Sequence, residues 1–451
     1  MCVSMSQRRF CACALVWVVF LAFLGTAVAH GASGDEIWQR TYGGASGGRD
    51  HATTAAVDAA GNYYVTGSSY RAGTGMDVLT IKYAPWGAVR WIRRYTGPGL
   101  RDDSGYDVAV DAAGNVYVTG RRTLATGPGF ITIKYSAAGV QRWITGYDGP
   151  GMGENHGDKV LAAAGGQVYV AGESWTAVGA QDVLIFKYTA AGRRIWARRY
   201  NGPAGGEDFF TDMARDGSDS IYLSGSAFVA GRGQDFLALS YDENGVQQWE
   251  RRLSGGAHID DSAEGIAVGG GRLGVAGYKT DGGGAGAQHV LVGYTTAGAW
   301  LSTTTGGVDG GVNDRSMDIA LVGGKYFVAG TSGDEYFVDV EAADGSGGWT
   351  GYFDPAGPGG VSYDPHVAAN AAGQVYVAGS FSSGIDPVGF TLTKFDSGGG
   401  QLWTKTKQSP TTCQAADLAL GPADALYVTG SVWTADPSTE MTDYLTVKYR
   451  Q

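Results

Sequence analysis

Carboxylates, imidazoles and aromatic rings recur along this chain at related intervals, and the chemistry open to them is charge recognition, metal ligation and stacking. Asp50, Asp103, Asp208, Asp260, Asp261, Asp314 and Asp364, with Asn155 in the same series, stand at the start of one kind of β-rich run. Asp77, Asp182, Asp235 and Asp443 open another kind. Oxygen donors from loops suit Ca2+ or a cationic group of a partner, although no loop has EF-hand spacing. The same carboxylates can accept backbone N–H bonds and tie strand ends together. Repetition in most copies of a unit suits that structural role.

Five histidines beyond His30 follow the same placement: His51, His156, His258, His289 and His366. His258 and His289 share one repeat with Asp260 and Asp261, a set whose donors suit a transition metal. Tyr70, Trp175, Phe228, Phe381 and Trp433 follow a recurrent glycine by two or three residues. They can pack on a neighbouring unit or offer flat platforms to sugar rings and peptide side chains. An aromatic face beside a carboxylate suits carbohydrate, because one stacks on the ring and the other accepts its hydroxyls.

Catalytic signatures are sparse. The chain has no H-E-x-x-H or P-loop motif. Cys413 has no evident activating base. Carboxylates converging on one face leave open a glycosidase-like acid pair. Otherwise the residues point to binding without catalysis.

The elements that position these residues come from a repeat. Eight copies of a phrase such as Val116-Tyr117-Val118-Thr119-Gly120 occur, with central residues at Tyr64, Tyr117, Tyr169, Tyr222, Gly274, Phe327, Tyr376 and Tyr427. The steps are 53, 52, 53, 52, 53, 49 and 51 residues. Each copy reads as four short strands split by Gly, Asn and Asp turns. In the second, these are 106–111, 116–120, 130–135 and 140–147. The 76 glycines are spread through the copies, as many tight turns require.

Four strands in about 50 residues, repeated, describe propeller blades. The expected fold is all-β, an eight-bladed propeller in one domain over 30–451. Trp38, Trp91, Trp143, Trp196, Trp249, Trp300, Trp349 and Trp403 recur in the fourth strand, where a large ring can fill the widening gap between blades. The last copy stops after its third strand, and the segment 37–42 reads as a fourth strand with no blade before it. Joining them closes the ring. The acids, histidines and aromatics above then share one face, called the top, which carries the fourth-to-first and second-to-third strand loops.

Asp111-Ala112-Ala113-Gly114-Asn115-Val116-Tyr117-Val118-Thr119-Gly120, with Asp182 to Tyr188, Gly192 and Trp196 in the next copy, resembles the bacterial SBBP-type β-propeller repeat. The resemblance implies an exported propeller and brings no catalytic residues with it. Copies five and six depart from the pattern at Gly274 and at Glu335-Tyr336.

Residues 1–29 read as an export signal, with Arg8-Arg9, an apolar run from Cys11 to Gly25 and a small-residue site at Ala27-Val28-Ala29. Cleavage would leave no membrane span and a single thiol, so no intrachain disulfide. It removes two arginines, leaving 31 bases against 44 acids, a net charge of −13. That charge disfavours nucleic acid and anionic lipid. The reading is an exported monomer (periplasmic, secreted or at the cell surface) that binds a glycan, a peptide or a surface protein on its top face. It needs no cofactor, with Ca2+ as the one candidate ion. A polysaccharide hydrolase or lyase and a purely structural module are the alternatives.

Overall fold

The computed structural model describes residues 33–44, 47–150, 153–176, 179–254, 260–280, 286–306, 313–354, 361–382, 389–408, 412–433 and 441–451. The segment read as an export signal lies outside the described residues. Among them, no helix is long and apolar enough to cross a membrane.

Eight four-stranded antiparallel sheets form, seven of them contiguous in sequence. The eighth is built from Cys413–Leu420, Leu426–Trp433, Thr442–Tyr449 and, as its outermost strand, Glu36–Tyr42. Thr41 lies opposite Leu445, so the chain closes on itself as expected. In the second blade the strands are Ser104–Val110, Val116–Leu124, Gly127–Tyr135 and Gln141–Tyr147.

The repeated residues have local reasons. Asp111 Oδ1 accepts the Ala113 and Asn115 N–H groups, and Oδ2 accepts the Asn115 amide and Tyr117 hydroxyl. This Asx-type turn joins the first two strands and explains the Asp-x-x-Gly-Asn-x-Tyr pattern. Asp58 does the same with Ala60, Asn62 and Tyr64.

Blades are tied to their successors by a Tyr–Lys–Trp unit. Lys82 Nζ lies 4.9 Å from the centroid of the Tyr64 ring and donates to Ala137 O in the next blade, which also accepts the Trp91 indole N–H. Trp91 is 5.9 Å, centroid to centroid, from Tyr135 of that blade. Trp38, Trp143, Trp196, Trp249 and Trp349 donate to the equivalent turn of their own next blade, at Pro85, Ala190, Glu243, Thr296 and Ser397. The recurrent lysines therefore serve as inter-blade ties. Trp300 departs from the expected seam-filling role. It pairs with Tyr294, two residues earlier in register than Trp91, which pairs with Lys82, and its ring is 64% exposed.

Candidate functional site

Asp50, Asp103, Asp208, Asp261 and Asp314 of the strand-start series are buried, and amides of adjoining segments surround the first four. Asp50 accepts the Gly44 and Tyr70 N–H groups at 2.6 and 3.1 Å. Asp103 accepts those of Gly97 and Thr123, and Asp208 those of Gly202 and Phe228. Asp261 accepts the Thr280 N–H at 2.6 Å. Burial pushes Asp208 up to about 6 and also raises Asp103. These side chains clasp the loop before their strand to the end of the second strand, and a ligand could reach them only by displacing those amides. Asp77 and Asp182 are likewise buried and paired with Arg94 and Arg199.

The aromatic series lies on the top face but divides by exposure. Tyr70 is 37% exposed and Phe381 only 3%, while Trp175, Phe228 and Trp433 are half-buried. Tyr70, Trp175 and Phe228 pack on the loops of their own blades. They cover Gly48, Gly153 and Gly206 in the loop entering their own first strand, where any Cβ would collide with the ring. Phe228 and Phe209 line a hollow of about 540 Å³ together with Glu207, Gln234 and the exposed Asp260. Asp260 accepts the Gln234 N–H at 2.9 Å.

Of the metal set, His258 lies outside the described residues. His289 sits within the strand Ala287–Thr295, not on a loop, with its ring 5.1 Å from Phe337. Among the described residues no group of three or more His, Cys, Asp and Glu side chains is arranged to hold a metal ion. The seventh blade also differs from its reading. Ser362, opposite Phe381, occupies the strand-start position, as Asp50 does opposite Ser69. Asp364 falls in the bulge that follows, with φ 54°, and is exposed.

Sequence reasoning missed a second polar layer. Each first strand carries a bulge, and the residue after it is Thr54, Asp107, Lys159, Asp212, Gly265, Asp318, His366 or Asp417. These eight occupy one level of the innermost strands, where a propeller surrounds its central channel. Every even-numbered blade has aspartate there. Each aspartate accepts an N–H from the next blade's innermost strand, at Val160, Ile266, Val367 and Ala55. Innermost strands have unpaired edge amides, and a carboxylate satisfies one. Lys159 Nζ is 3.0 Å from Asp212 Oδ1, and Thr54 donates to Asp417 at 3.0 Å. The signal was present as Asp-aliphatic-Ala in alternate repeats: 107–109, 212–214, 318–320 and 417–419.

Above this ring the channel mouth is polar. His51, Asp364, His366, Gln414 and Ser431 help line one cavity of about 410 Å³. Another cluster joins His156 Nδ1 to Asp158 at 2.8 Å, with Glu173 3.9 Å from Nε2. Burial, then the nearby Asp158, pushes Glu173 up to about 7. Burial lowers the His156 pKa, but Asp158 and Glu173 outweigh it and raise the imidazole overall.

These shifts set a pH dependence. Burial holds Asp107 and Asp208 at about 6 and Glu173 at about 7. A folded-state pKa above the unfolded value of about 4 makes stability fall as pH rises between the two. Asp58, Asp111 and Asp216 are lowered, because hydrogen bonds outweigh burial, and lose their contribution only in stronger acid. Thermal unfolding is expected to give a higher Tm at about pH 4.5 than at about pH 7.5, with Asp107→Asn narrowing the difference. A Tm that climbs over that interval would refute this assignment.

Comparison with known proteins agrees on the fold. A family model described as the SBBP β-propeller repeat matches residues 90–121. No curated protein matches the sequence. The structure is similar to Sqt1 from Chaetomium thermophilum, at 12% identity over 93% of this chain and 99% of that one, with a TM-score of 0.57. That likeness shows the fold alone. A PL25 ulvan lyase aligns at 14% identity over 74% of this chain and 89% of its own, TM-score 0.47. The dihydro-heme d1 dehydrogenase NirN aligns at 13% identity over 82% and 78%, TM-score 0.48. Both are too distant to bear on function.

Proposed function

We propose that this chain, built on the SBBP β-propeller repeat, is an exported, non-catalytic scaffold that binds a glycan on its top face. The hollow beside Phe228 carries this reading. It sets an aromatic surface next to Asp260, Glu207 and Gln234, and so offers a stacking face beside hydroxyl acceptors and donors. Its rim is acidic, which favours neutral or amino sugars over polyanionic ones. A glycan array probed with and without Ca2+ tests it. Binding is expected with wild type and should be lost in Asp260→Asn at unchanged Tm, and in Phe228→Ala with a cooperative melt retained. An array blank in both conditions would reject the sugar. Binding to a peptide or a surface protein in its place would reassign the ligand, and no binding at all would leave the purely structural module.

The His156–Asp158–Glu173 cluster favours a second reading, a hydrolase or lyase acting on polysaccharide. A carboxyl held near neutrality beside an imidazole can exchange protons at working pH. Polysaccharide turnover that disappears in Glu173→Gln while binding persists would establish it. Asp208 and Asp261 are unsuitable test positions, since replacing either strands a buried backbone N–H group.

A further inference from the structure

The seam between the fifth and sixth blades (262–306 and 314–353) is built unlike the others. In the first blade Tyr64, Lys82 and Trp91 face the next blade. The register places Gly274, Gly293 and Ser302 at those three positions in the fifth. The facing strand of the sixth blade changes in step. Asp339 stands where the first blade has Ile81, and Glu341 where it has Tyr83. Tyr326 fills part of the gap. Its ring lies where a Cβ on Gly274 would fall, and its hydroxyl donates to Leu273 O at 3.0 Å.

Beside Ser302, between the two blades, lies a cavity of about 470 Å³. Its wall carries Asp339, Glu341, Ser302, Thr303, Thr304 and Thr350. Asp339 is only 5% exposed. Its Oδ1 accepts the Thr350 hydroxyl at 2.7 Å, while Oδ2 has no hydrogen-bond partner among the described residues. A buried carboxylate oxygen left unpaired is costly unless something else satisfies it. Burial raises the pKa of both carboxyls, and for Glu341 the nearby Asp339 adds to the rise. Arg272 reaches the same seam but donates to Ala343 O and does not line the cavity. The exposed Trp300 donates its indole N–H at 2.8 Å to Thr303, a lining residue.

We propose that this cavity is a binding site for a small organic cation bearing an ammonium or guanidinium group. In five other blades the repeat places a lysine ammonium in the seam, over the second-strand tyrosine, while the fourth and sixth have Ser240 and Val340 there. In the fifth blade the lysine position is Gly293, paired with Ser302 of the cavity wall, and two carboxylates line that cavity. The volume falls in the range of small-molecule pockets. It is too roomy for two carboxylates to close around a bare metal ion, which needs several ligands within about 2.6 Å. The cation could be a free diamine or a Lys or Arg side chain of a partner. The site is separate from the top-face hollow, so either can fail alone.

Calorimetry on the chain without residues 1–29 tests this, using agmatine and 1,4-diaminobutane as probes and 1,4-butanediol as the uncharged control. Saturable one-to-one binding of a diamine is expected, with the diol inert. Asp339→Asn and Glu341→Gln should each weaken it by about tenfold or more. Ser302→Trp, which restores the repeat's own residue, should abolish binding while raising Tm, and so separates loss of the site from loss of the fold. An N-acetyl-lysine amide that binds where free diamines do not would assign the cation to a partner's side chain. No saturable heat for any cation up to about 10 mM, equal binding by the diol, or Ca2+ binding that excludes the diamines would overturn the proposal.

Discussion

Trp38→Ala is expected to destabilise the protein by about 3–5 kcal/mol, whereas Trp300→Ala should stay within about 0.5 kcal/mol of wild type. Both tryptophans occupy fourth strands of the same repeat. Trp38 is 7% exposed and sits in Glu36–Tyr42, the strand that completes the eighth blade. Its ring lies 5.9 Å from both Tyr83 and Tyr427, so it joins the first blade to the last. Its indole N–H donates to Pro85 O, and neighbouring Arg40 donates to Gly87 O at 2.7 Å. Removing the ring opens a cavity between the closing strand and the first blade. Denaturant unfolding of both variants checks this. Equal losses would mean that the closing strand is dispensable.

Gly120→Ala should cost about 3 kcal/mol, and Gly217→Ala should be neutral or slightly stabilising. A Cβ on Gly120 would run into Ser104 O, because the second strand passes close to the bulge of the first. Gly67, Gly172, Gly225, Gly277, Gly330 and Gly430 face the equivalent carbonyl of their own blades. The carbonyl belongs to backbone, so no side-chain rotation relieves the clash. The bulge must open, and Asp107, the residue after it, then loses its place against Val160. Gly217 has no heavy atom within 4 Å of the added carbon, so alanine there chiefly restricts the unfolded chain. Thermal melts of the pair suffice, and a Gly120→Ala protein as stable as wild type would show that the bulge is not fixed by contact.

The acidic series shows where sequence reading stops. Asp208 and Asp260 both looked like top-face ligands. One is buried beneath two loop amides, and the other is exposed beside Phe228. The two candidates differ only in what the adjoining loop does, and hydrophobic alternation carries no record of that. Asp107, Asp212, Asp318 and Asp417 passed unnoticed because each lies inside a strand where polar and apolar residues were expected to alternate. The bulge rotates them toward the channel, and a one-residue shift of this kind reverses which face a side chain takes.

The repeat alone determined the all-β class, the eight blades, the turn chemistry at Asp58 and Asp111, and the closure by residues 36–42. Each of these depends on contacts within a unit or on counting units, and periodic residues record both. The tertiary structure alone decided which carboxylates are free, that His51 and His366 line one cavity, and that Ser302, Asp339 and Glu341 line another. Those outcomes depend on register across a bulge and on neighbours about a blade or more away in the chain, and no local pattern encodes which side chains will meet there.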